Sequence, residues 1–81
     1  MPYVLKQSDG THQAIGTSSG NHVDQPDSTF WITGWAPATQ QAVAVGGFYL
    51  LQFPPDNHTN PVEVKEKGGP GNGGIRFQFT G

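Results

Sequence analysis

Over residues 62–81 apolar and polar positions alternate around a loop made almost entirely of glycine. Val62 and Val64 alternate with Glu63 and Lys65. Beyond Gly68-Gly69-Pro70-Gly71-Asn72-Gly73-Gly74, Ile75, Phe77 and Phe79 alternate with Arg76, Gln78 and Thr80. A period of two marks a strand with one buried and one wet face, so this stretch predicts a β-hairpin. Tyr3-Val4-Leu5-Lys6-Gln7 predicts a short strand closed by the turn residues Ser8-Asp9-Gly10. Over residues 11–28 the apolar positions thin to Ala14, Ile15 and Val23. Here we expect a short strand over residues 12–16 and a loop over 17–27, with an extended arm over 8–28 as the competing reading.

Phe30-Trp31-Ile32-Thr33-Gly34-Trp35 is apolar on both faces and predicts a central strand covered on both sides. Val43 and Val45 predict a further alternating segment over residues 41–45. Gly46-Gly47 permits a bulge or tight bend before a strand over Phe48–Phe53, which Pro54-Pro55-Asp56-Asn57 stops. No segment repeats apolar residues at helical spacing, and twelve glycines and seven prolines oppose long helices. The expected fold is an all-β single domain over residues 1–81. It is a small barrel or sandwich of five to seven short antiparallel strands with little or no helix.

Composition changes this picture in one respect. Leu, Ile, Val and Phe make up only about a fifth of the chain, a low share for a packed domain. Domains this small commonly need disulfides, a metal or a partner, and the absence of cysteine removes disulfides and thiolate metal sites. The expectation is a homo-oligomer whose subunits share burial, with a trimer or higher ring favoured. Charged residues are 12% of the chain, about half the usual share. Such a surface costs little to desolvate, because amides that find partners bury more easily than ions. Four basic residues argue against nucleic acid, whose phosphates are bound by clustered Lys and Arg. No apolar run approaches a membrane span. The first residues lack the pattern of a secretory signal, so the expected location is a virion, or the cytoplasm where one is assembled.

Candidate chemistry is sparse. His12, His22 and His58 lack metal-ligand spacing; His12 and His22 with Asp24 come nearest to the three or four converging ligands a zinc site needs. One histidine per chain on a three-fold axis is a variant of the same idea. No metal and no cofactor is expected. Asp24 and Asp27 flank Pro26, and Asp27 or Ser28 is expected to make a side-chain-to-backbone turn bond rather than to pair for catalysis. Ser18 and Ser19 in Gly16-Thr17-Ser18-Ser19-Gly20 loosely match a nucleophile elbow, but no helix follows them. The glycine loop precedes a strand and not a helix, so it is not a phosphate cradle. Gly71-Asn72-Gly73-Gly74 resembles one loop of the chagasin-type cysteine-protease inhibitors. The other two loops of that family have no counterpart here, and the chain is not assigned to it.

The aromatic residues carry the functional expectation. Trp31, Trp35 and Tyr49 are placed on the face opposite Phe30, Ile32, Phe48 and Leu50. With Phe53 they form the expected subunit interface, where aromatic anchors are enriched. Gly71, Asn72 and Gly73 are the expected loop contact with a neighbour. The expected function is a non-enzymatic structural or adhesive component of an assembly, most concretely a phage or virus particle protein such as a capsid decoration or small tail or spike piece. Its partners are copies of itself and other capsid or assembly proteins. The alternatives are a small carbohydrate-binding module using Trp31, Trp35 and Tyr49 on a glycan, and a small enzyme whose site forms between subunits around His12, His22 or His58.

Overall fold

Val62, Val64, Ile75 and Phe77 are fully buried, while Glu63, Arg76 and Gln78 between them stay in contact with solvent. The computed structural model describes residues 2–68 and 73–81. Among these residues the elements are β1 (Tyr3–Gln7), β2 (Ala14–Ser18), β3 (His22–Asp24), β4 (Thr29–Ile32), α1 (Pro37–Ala42), β5 (Phe48–Phe53), β6 (His58–Lys67) and β7 (Ile75–Phe79). All strand pairs are antiparallel and belong to one sheet of order β2-β1-β5-β6-β7-β4-β3. No helix among the described residues is long and apolar enough to cross a membrane.

The sheet is strongly curled. β1 and β3 are five strand positions apart, about 24 Å in a flat sheet, yet the rings of Tyr3 and His22 lie 6.2 Å apart. Likewise Phe53 of β5 and Phe30 of β4 face each other at 6.0 Å across the interior. The inner face thus closes on itself as a small open barrel, whose seam lies between β2 and β3. Ser19-Gly20-Asn21 bridges that seam. There the Ser18 hydroxyl donates to the Thr33 carbonyl, and the Thr33 N–H donates to the Asn21 carbonyl at 3.0 Å.

Inside, one chain encloses a continuous core. It comprises Leu5, Phe30, Ile32, Trp35, Val43, Leu51, Phe53, Val62, Val64, Ile75 and Phe77. Register explains the grouping: Leu5 stands opposite Leu51, Phe30 and Val64 both oppose Phe77, and Ile32 opposes Ile75. Each fully buried side chain of this kind contributes about 1.5–3 kcal/mol relative to exposure. Pro61 is tolerated in the middle strand β6 because its carbonyl already faces the end of β7, accepting from Thr80 N–H at 3.1 Å. A strand residue's N and C=O point the same way, so the missing donor falls where the β7 ladder has ended.

Several expectations are corrected. Residues 41–45 are not a strand: α1 occupies Pro37–Ala42, and Val43 is buried while Val45 is exposed. Pro37 sits in the first helical turn, where its missing N–H and fixed φ suit a helix start. The strand expected over residues 30–35 is β4, Thr29–Ile32, since Gly34 takes φ +86° and turns the chain so that Trp35 enters the core. Residues 12–16 and the loop over 17–27 become β2 two residues later than expected, followed by the three-residue β3.

A bulge between Val64 and Glu66 sets the end of β6. It puts Glu66 opposite Arg76 on the outer wall and Lys67 opposite Ile75 on the inner side. Lys67 Nζ there donates to the carbonyls of Gln40 and Val43, both at 2.8 Å, and so caps the C-terminal end of α1. The helix packs on β2 through Thr39 and Gly16. A Cβ at Gly16 would lie 2.0 Å from Thr39 Oγ1, whereas one at Gly10 would meet nothing within 4 Å. Gly16→Ala should therefore lower unfolding stability by about 1–3 kcal/mol, as overpacking does. Gly10→Ala should stay within about 0.5 kcal/mol of the parent in the same urea titration. Equal midpoints for the two variants would remove the helix from the seam.

Candidate functional site

One end of the barrel is an aromatic mouth. The start of β1, the ends of β5 and β7, and the starts of β6 and β4 bring Tyr3, Phe53, Phe79, His58 and Phe30 together, with His22 of β3 alongside. Phe30 and Phe53 form its buried floor. His58 lies flat on Phe53, ring centres 5.0 Å apart and planes within 5°, and His22 flanks the same ring at 6.3 Å. Phe79 packs on Phe30 at 4.9 Å and on Phe53 at 5.7 Å, and remains 47% exposed.

Each histidine donates to an aspartate two residues away. His22 Nε2 bonds Asp24 Oδ1 at 3.0 Å, and His58 Nδ1 bonds Asp56 Oδ1 at 2.6 Å. The i,i+2 spacing accounts for the first pair, because alternate strand residues share a side. The second belongs to a turn in which Asp56 Oδ1 also accepts the His58 N–H at 3.3 Å. Those bonds hold the Asp56 carboxyl below its ordinary value, the ring bond being the largest cause. Among the described residues no group of three or more His, Asp or Glu is arranged to hold a metal ion.

The opposite end carries a cleft of about 560 Å³, lined by Gly34, Trp35, Pro37, Gln40, Gln41, Gly68 and Gly73. None of these lining residues is charged. Trp35 is buried beneath it, edge-on to Phe77 at 6.2 Å, and its indole N–H finds no acceptor among the described residues. Gly73, at φ +69°, accepts the Trp35 N–H at 2.9 Å; a Cβ there would lie 2.3 Å from the Trp35 carbonyl oxygen. Only glycine allows that approach.

The outer wall holds the chain's main charged network. Arg76 donates to Thr29 Oγ1 through Nε at 2.9 Å, to Glu66 at 2.9 Å and to Asp27 at 2.6 Å. Asp27 also accepts the Thr29 N–H at 3.1 Å and the Thr29 hydroxyl, the expected turn bond. Asp9 repeats the device with Thr11, accepting its N–H at 3.0 Å and its hydroxyl.

The residues expected from sequence separate into several environments. Trp35 and Phe53 belong to the core cluster of the single chain, and Tyr49 packs against it. Trp35 and Tyr49 therefore do not share a face opposite Phe30 and Ile32. Trp31 does point outward, opposite Val23 and Arg76 in neighbouring strands, but it too is buried. Phe48, expected on one face with Phe30 and Ile32, is exposed on the other side of the sheet. Of the loop contact, Gly73 packs on Trp35 within the chain, while Gly71 and Asn72 lie outside the described residues. Ser18 is buried and bonded to Thr33, and His12 is an exposed turn residue at φ +50°. The mouth was missed as a unit, although His22-Val23-Asp24 and Asp56-Asn57-His58 each display their pairing at i,i+2. No protein-family model, no curated protein and no solved structure matches the chain.

The aspartate turns carry a pH dependence. Asp9, Asp27 and Asp56 all have pKa values lowered from the usual 3.8, chiefly by hydrogen bonds from the residue two positions on. A lowered folded-state pKa stabilises the fold above the unfolded value and loses that contribution as pH falls through the folded one. Stability should thus decline from about pH 5 downward. Asp27→Asn, which cannot titrate, should flatten that decline in thermal melts while lowering stability at neutral pH. A decline as steep as the parent's would show that the Asp27 turn plays no part in acid unfolding.

Proposed function

We propose that this chain is a non-enzymatic, self-associating component of a larger assembly. Its concrete form is a small protein of a virus or phage particle, such as a capsid decoration or a tail or spike piece. The observation that carries the reading is an apolar strip on the outer wall. Phe48 and Leu50 follow each other on the outward side of β5, Leu50 stands opposite the exposed Pro61 of β6, and Val45 precedes them in the bend. Phe48 is 59% and Val45 58% exposed in the single chain. Contiguous exposed apolar surface of this kind marks interaction sites on soluble domains.

The surroundings of the strip favour burial. Gln52, Thr59 and Thr80 are neutral, Lys6 Nζ is bonded to Gln52 at 2.6 Å, and Glu63 pairs with Lys65 at 3.6 Å. Of these groups only the Lys6 ammonium, whose partner is a neutral amide, is a free charge that a second wall closing over the strip must leave in water. The interface of the proposal therefore centres on Val45, Phe48, Leu50 and Pro61. Of the anchors expected from sequence, Tyr49 and Phe53 lie on the inner side of the same strand β5, and Trp31 and Trp35 lie elsewhere in the sheet and core. In the closed ring, with a trimer favoured, the strip of each chain packs head-to-tail on a different surface of the next chain.

Sedimentation velocity over a concentration series tests the reading. The parent chain should form a discrete oligomer. Phe48→Glu should weaken association by roughly 30-fold or more, the effect of losing a central hot-spot residue, with the strand signal in circular dichroism unchanged. A parent chain that stays monomeric up to its solubility limit, or a variant that assembles as well as the parent, would defeat the proposal.

A further inference from the structure

The charges of this chain are matched unevenly. On the wall Asp27 and Glu66 are paired with Arg76, and Glu63 with Lys65. At the mouth Asp24 and Asp56 pair only with His22 and His58, and neither meets a Lys or Arg among the described residues. An imidazole carries no permanent charge as Lys or Arg does, so two carboxylates stand there without a fixed positive partner. They are also open to solvent, Asp24 at 87% and Asp56 at 71% side-chain exposure. Asp56 spends Oδ1 on both bonds from His58, and Oδ2 carries none among the described residues.

The rings beside these carboxylates are flat and partly uncovered. One face of His58 rests on Phe53, and the side chain is still 53% exposed, which leaves its other face to solvent. Phe79 adds a second exposed ring on the same floor. We propose that this mouth is a docking site for an arginine side chain carried by a partner protein. A guanidinium extends the Phe53–His58 stack by lying on the outer face of His58, and its N–H fork meets the Asp56 carboxylate at the edge of that ring. Asp24 adds a second negative charge across the mouth. A lysine ammonium matches the charge but not the flat face. A neutral sugar matches the rings but gains nothing from the two carboxylates. This site is separate from the strip on the wall and does not depend on self-association.

The test is a titration of the full chain, in whatever oligomeric state it holds, at mildly alkaline pH. The aromatic proton resonances of His58, His22 and Phe79 are followed by NMR. The probes are the capped peptides Gly-Arg-Gly and Gly-Lys-Gly, and maltotriose. The arginine peptide should shift the His58 and Phe79 resonances saturably, more tightly than the lysine peptide, and more weakly as salt is raised. Asp56→Asn keeps an oxygen to accept the His58 N–H, and Asp24→Asn lies on an exposed strand. Asp56→Asn should weaken arginine-peptide binding about tenfold, as expected for losing a charge-assisted contact, and Asp24→Asn, which removes only the charge across the mouth, by a smaller factor that salt abolishes. An unchanged Phe77 ring resonance shows that the core of each variant is intact. The proposal is overturned if the arginine peptide leaves these resonances unmoved, if maltotriose shifts them as strongly, or if neither substitution weakens binding.

Discussion

A seven-stranded sheet whose inner face is almost wholly apolar must hide that face, and the six-residue helix is too short to cover it. Curling the sheet until its inner side chains meet is the solution adopted, and the quality of the seam decides whether it holds. Small residues make the seam possible. Gly16 lets Thr39 approach β2, and at Gly20 a Cβ would lie 2.0 Å from the Thr33 carbonyl oxygen. With the seam closed, Phe30, Phe53 and Phe77 face one another, the aromatic mouth gathers at one end, and the helix and cleft occupy the other.

Legibility in the sequence follows from how strictly a segment alternates. The β6–β7 hairpin was readable because Val62, Val64, Ile75 and Phe77 are separated only by polar residues. β5 was readable as a strand but not as a face, since Phe48-Tyr49-Leu50-Leu51-Gln52-Phe53 is apolar on both sides. The pairing of Leu51 with Leu5 turns Tyr49, Leu51 and Phe53 inward, and the tertiary partner is information a period of two does not contain. α1 is shorter than two helical turns, so no helical repeat could develop, and Val43 with Val45 mimicked a strand. β3 has one apolar residue in three and owes its existence to β4. The mouth was hidden because His22 and His58 are far apart in sequence and meet only through Phe53.

Half of the six acidic residues serve one local device. Asp9, Asp27 and Asp56 each accept the N–H of the residue two positions on and a polar group of its side chain. A carboxylate placed in this way fixes a turn at the start of β4 and of β6, and in the β1–β2 connection, without needing a cation of its own. The device also explains how so lightly charged a chain orders its loops. Where it does meet a cation, at Arg76, the turn before β4 is tied through that guanidinium to Glu66 at the bulge of β6.

The briefest strand of the sheet has a disproportionate consequence. β3 is three exposed residues laid along β4, all four of whose side chains are buried. Fraying of His22-Val23-Asp24 would leave β4 as a bare edge with unpaired amides and a run of aromatic and β-branched residues. That is the composition that recruits foreign strands. Local opening, amide exchange and the first steps of misassembly should therefore all begin at the seam, while strands β6 and β7 are anchored by the fully buried Val62, Val64, Ile75 and Phe77.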